Sequence, residues 1–193
     1  MSFTIPTVPQ EAVAALTAAL RQLTISPMVA ARLPHATAAI RRFTTGPGSN
    51  PATSTTISLP FFVLDFSDVS KGITAARQVG WRHLLPTGDS AGPAMADTLG
   101  SASQHAFAGL TESPFAGVLE RQLAALGQAP TIAAGSYNVA LLQVPACNVM
   151  AIWLEDTAHN NDLVVPVAPT PPSLTAGQQY STSQFLGALR QAS

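Results

Sequence analysis

Charge is what this chain has least of. Asp, Glu, Lys and Arg make up 10% of its residues, against about 25% in an ordinary soluble domain. Lys71 is the one lysine, and the formal net charge is −1. A surface so poor in charge must be covered by small polar residues or by another subunit, and little electrostatic repulsion keeps copies apart. A homo-oligomer is therefore expected. The same shortage speaks against nucleic acid as a partner: the only adjacent basic pair is Arg41-Arg42, and no aromatic residues interleave with a basic stripe. Cysteine is nearly absent too. Cys147 stands alone, which excludes an intrachain disulfide and fits a reducing compartment. The opening "MSFTIPTVPQEAV" lacks a cationic segment followed by an apolar run, so the cytoplasm is the expected location.

No long apolar run goes uninterrupted. The longest uncharged apolar stretch, "YNVALLQVPACNVMAIWL" at 137–154, is broken by Asn138, Gln143, Pro145 and Asn148. Pro145-Ala146-Cys147-Asn148 reads as a turn between two β-rich runs, a buried hairpin and not a membrane span. Zinc signatures such as H-E-x-x-H or paired cysteines are missing, and no cofactor is expected.

What is present divides into a helical N-terminal segment over 1–43, a Gly-, Pro-, Ser- and Thr-dense loop or linker over 44–56, and an α+β body over 57–193, read as one domain overall. Val13, Leu16, Leu20 and Leu23 recur at helical steps, and Pro34 precedes a second helical stretch. Beyond residue 57 short apolar runs alternate with turns. Ser113-Pro114 opens a helix carrying Leu119, Leu123 and Leu126, with Gly127 as its stop. Ser181 and Gln184 have capping-box spacing ahead of Phe185, Leu186 and Leu189. The fold class that follows is α+β: a mainly antiparallel sheet of about five to seven strands with helices packed on one side.

One pentapeptide carries a catalytic pattern. Gly88-Asp89-Ser90-Ala91-Gly92 spells G-x-S-x-G and resembles the nucleophile elbow of the hormone-sensitive-lipase-like esterases. The resemblance implies a small serine hydrolase with Ser90 as nucleophile, His159 as base and an acid from Asp156 or Asp162, of which Asp156 with His159 keeps the family's order of serine, acid and histidine. It covers five residues. The His-Gly-Gly-Gly motif of that family is absent, and Asp156 lies only three residues from His159. Residues 87–92 are all turn formers between two apolar runs, so a hairpin loop is the preferred reading.

"EDTAHNND" at 155–162 offers Glu155, Asp156, His159 and Asp162 as acid–base groups or metal ligands, or as a plain solvated loop. His83 and His105 fall in segments that both read as strands, where a sheet could join them with Asp65 or Asp97 around a metal; isolated strand histidines more commonly serve structure. Cys147, in its apolar hairpin, reads as a small hydrophobe with a raised pKa. No catalytic constellation closes. The function expected from the residues is a non-catalytic binding or protein-interaction module that self-associates.

Overall fold

The computed structural model describes residues 3–24, 28, 31, 33–45, 57–85, 94–101, 104–158 and 161–191. The fold is α+β, with a large, mostly antiparallel sheet. Among the described residues nine strands contribute to it, more than the five to seven expected. The surplus includes Phe3–Thr4 and Tyr180–Ser181. Two residues are too few to show an alternating pattern, so tertiary pairing alone defines such strands. The chain forms two compact units, one of residues 1–6, 59–79 and 121–193, the other of 7–58 and 80–120.

In the first unit β1 (Phe3–Thr4) and β2 (Ile57–Val63, of which 59–63 belong here) both run parallel to a later strand, Tyr137–Val144, at its residues 137–138 and 141–143. That strand, β6, pairs antiparallel with β7 (Val149–Asp156), which continues to β8 (Leu163–Val167) and β9 (Tyr180–Ser181). The β6–β7 hairpin turns through Pro145–Cys147, and Asn148 adopts φ 49° to close it. A left-handed conformation suits Asn, whose short polar side chain tolerates it. From Val139 to Leu142, and from Ala151 to Leu154, every residue is buried, so both faces of this ladder are covered. On one face Leu142, Val144, Ala151 and Trp153 pack with Phe185, Leu186 and Leu189 of the C-terminal helix Thr182–Gln191. Phe62 meets the Trp153 ring edge-on at 5.1 Å.

That C-terminal helix begins with the capping box the spacing predicts. Ser181 Oγ accepts from the Gln184 amide at 3.3 Å, and Gln184 Oε1 accepts from the Ser181 amide at 3.0 Å. Two otherwise orphaned amides are thereby satisfied.

The second unit holds α1 (Gln10–Thr24), α2 (Pro34–Thr45) and a three-stranded antiparallel meander. Its strands are β3 (Arg77–Leu85, of which 80–85 belong here), β4 (Ala94–Ser101) and β5 (Gln104–Glu112). Leu16 and Leu20 of α1 and Ala36, Ala39 and Ile40 of α2 bury against Leu85, Ala94, Ala96, Phe107 and Leu110. These strand residues share one face, here the inner face. Ala12, not Val13, is the fully covered member of the first turn of α1. The backbones of β3 and β4 approach so closely that a Cβ on Gly80 would meet the Thr98 carbonyl oxygen at 2.0 Å. Glycine is required there.

The third of the longer helices is α3 (Pro114–Leu126). Ser113 Oγ accepts from the Phe115 amide at 3.2 Å, and Gly127 N donates to Leu123 O at 3.0 Å, so cap and stop stand where the sequence puts them. A four-residue α4 (Pro130–Ala133) follows, and the C-terminal helix is α5. Among the described residues no helix is long and apolar enough to cross a membrane.

Candidate functional site

The buried run of β3, Gly80 to Leu85, contains two residues that apolar burial does not favour, Arg82 and His83. Strand alternation sends them to opposite faces. Arg82 is directly opposite Asp97 of β4. Its Nε and Nη2 donate to Oδ1 and Oδ2 of that carboxylate, both at 2.8 Å, a fork-on-fork pair that fixes the register between the two strands.

His83 points to the inner face, among residues that pack with α1 and α2. Its Nδ1 lies 2.8 Å from Ser58 Oγ and its Nε2 3.0 Å from Thr98 Oγ1. His83 is 1% exposed, Ser58 9% and Thr98 0%. A neutral imidazole donates through one nitrogen and accepts through the other, and each hydroxyl can take either role. The three side chains therefore form a satisfied buried chain. Desolvation pushes the His83 pKa down to about 4, with His105 adding to the depression and Asp97 opposing it. At neutral pH the ring is uncharged. A neutral imidazole beside a serine hydroxyl is the elementary unit of a nucleophile and its base. Here the second nitrogen meets a threonine hydroxyl instead of a carboxylate.

Neither Ser58 nor Thr98 stands out in the sequence. The signal available was a polar residue at an inward position of an alternating strand: His83 between Trp81 and Leu85, and Thr98 in step with Ala94 and Ala96.

Ser90 lies outside the described residues, as does His159. The strands around the pentapeptide are described: β3 ends at Leu85, β4 begins at Ala94, and these two residues are antiparallel partners. A nucleophile elbow passes from a strand into a helix; the first described residues after the pentapeptide, from Ala94, form a strand. Asp156 and Asp162 belong to one loop and are hydrogen-bonded within it. Asp162 accepts from the Trp153 indole N–H and from the Asp156 amide, each at 2.9 Å. Asp156 accepts from the amides of Ala158 at 2.9 Å and Asn161 at 3.3 Å. These carboxylates brace the turn between β7 and β8. Glu155 is exposed.

His105 shares the inner face with His83, and its Nδ1 is buried with no hydrogen-bond partner among the described residues. It lines a groove of about 710 Å³ with Glu11, Ala14 and Ala15 of α1 and with Leu99, Gln104 and Ala106. Among the described residues no group of three His, Cys, Asp or Glu side chains could hold a metal ion. Asp97 is engaged by Arg82, and Asp65 accepts from Arg77 at 3.1 Å. Cys147 is half-buried in the hairpin turn, and burial raises its pKa as the sequence predicts.

Comparison with family models, with curated proteins and with solved structures gives no match.

Proposed function

We propose that this chain is a non-catalytic interaction module that self-associates. The observation that carries the reading is where its polar chemistry goes. His83 is enclosed between two hydroxyls, Arg82 grips Asp97, and Asp156 and Asp162 brace their own loop. Catalytic acids and bases must reach a substrate, and these groups reach the protein. What remains for the outside is a surface poor in charge, the composition that favours contact between copies.

Two measurements test the reading. Light scattering coupled to size-exclusion chromatography at micromolar concentration is expected to return a multiple of the chain mass, and a monomer contradicts self-association. A fluorophosphonate probe is expected to leave the protein unlabelled. Labelling that disappears in Ser90→Ala would replace this reading with a serine hydrolase built on Ser90.

A further inference from the structure

The self-association proposed above leaves open which surface meets which, and β5 supplies a specific answer that rests on that reading. Among the described residues β5 pairs with β4 alone, so its other edge carries unpaired backbone donors and acceptors. Natural proteins guard such edges with Lys, Pro, bulges, inward charges, covering elements or shortness; of these β5 has a bulge, taken up below, and the inward Glu112 at its end. β5 is nine residues long, contains neither Lys, Arg nor Pro, and bears its one acidic residue, Glu112, at the very end.

The strand also has an internal symmetry. Asp97 of β4 opposes Gly109, while the next residue, Thr98, opposes Phe107, so Ala108 is the extra residue of a β-bulge. Alternation is interrupted there. His105 and Phe107 face inward before the bulge, and Leu110 and Glu112 face inward after it. Ala106, Ala108 and Thr111 are exposed on the outer face. A twofold axis between Ala108 and Gly109 is the antiparallel self-pairing that runs through the bulge and keeps every opposed pair from His105 to Glu112 on a common face. Shifting the register by two residues sets Phe107 against Ala108, or Gly109 against Leu110, from opposite faces.

We infer that two copies of this chain join through antiparallel β5–β5 pairing about a twofold axis between Ala108 and Gly109. In that register Phe107 of each copy packs against Leu110 of the other, twice. His105 lies across from Glu112, an acid–imidazole pair also formed twice. Ala106 opposes Thr111 on the outer face. At the axis only Ala108 and Gly109 meet, and a Cβ on Gly109 would find nothing within 4 Å. The small pair lets the two bulged backbones approach. The contact is isologous, so it closes at two copies and does not propagate into a filament.

The test uses the full chain. The native protein is expected to run as a dimer. Ala106→Lys, at an exposed position, places a charge on the joining edge and is expected to yield a monomer with an unchanged far-UV circular dichroism spectrum. The register is read by cysteine pairs in a Cys147→Ala background. Directly opposed residues have Cα atoms about 4.5 to 5.5 Å apart, within disulfide range. Ala106→Cys with Thr111→Cys is therefore expected to give a reducible covalent dimer on mild oxidation. Ala106→Cys alone is expected to give none, because its two copies stand on the order of 17 Å apart. A native dimer that survives Ala106→Lys and fails to cross-link keeps self-association and overturns the β5 interface. Cross-linking by the single cysteine overturns the register, and a native monomer overturns both readings.

Discussion

The ladder of β6 and β7 and the ladder of β3 and β4 solve burial in different ways. In the first, Val139 to Leu142 and Ala151 to Leu154 are apolar, and the one side-chain polar group among them, the Trp153 indole N–H, donates to Asp162 in the adjoining turn. In the second, an equally buried run carries a guanidinium and an imidazole. The buried polar groups there meet particular residues at fixed positions: Arg82 meets Asp97, and His83 meets Ser58 and Thr98. Apolar contact tolerates small shifts, whereas a polar pair displaced by one residue leaves a donor without an acceptor. The second ladder thus carries its register in hydrogen bonds and is sensitive to pH; the first does neither.

The largest expected effect lies in the apolar region. Phe185 is fully buried against the β6–β7 face, and Phe185→Ala is expected to cost roughly 3–5 kcal/mol. Urea unfolding at pH 7 and pH 5 checks this, and the cost should be the same at both.

Next comes the pH response of the polar region. His83 titrates at about 4 in the folded protein against 6.5 in a free chain. Between those values the unfolded chain binds more protons, so stability falls as pH is lowered through this window. The loss amounts to about 3 kcal/mol by pH 4, and the contribution is fully present above pH 6.5. His83→Gln is expected to remove that slope while retaining partners for the two hydroxyls. A slope between pH 6.5 and 4 that persists unchanged in this variant would refute the assignment.

A smaller effect is expected from Asp97→Ala, roughly 2 kcal/mol, because it removes the carboxylate that Arg82 grips, at a site where that carboxylate is a quarter exposed. The same change removes a charge that favours protonated His83, so the imidazole pKa should fall further, which nuclear magnetic resonance titration can follow. The smallest is Ser181→Ala, about 1 kcal/mol from the lost cap. It is read as a lowered midpoint, with no change in the pH profile.

The two regions also differ in how far they were legible from residue order. The β6–β7 hairpin, the Ser181–Gln184 box and the Ser113 cap are local: their partners lie within a few residues, or on strands joined by one tight turn. The helical stripe of α1 was legible apart from its first turn, where packing selects Ala12 over Val13. Ser58, His83 and Thr98 are 25 and 15 residues apart in pairs. Strand register brings them together, and no spacing rule carries that information. The carboxylates of Asp156 and Asp162 read from residue order as a solvated loop, with acid–base or metal roles as alternatives, and their hydrogen bonds to Trp153 and to nearby amides are equally beyond any spacing rule.

The comparison extends to the strand edges, since the account assigns function to the outer edge of β5 and none to the interior of either ladder. Hydrogen–deuterium exchange followed residue by residue, at two protein concentrations spanning association, tests this most directly. Alternate backbone amides of residues 104–112 are expected to become strongly protected at the higher concentration, while those of β6 and β7 stay as they are. Exchange in β5 that is indifferent to concentration, with the protein associated, would contradict the account.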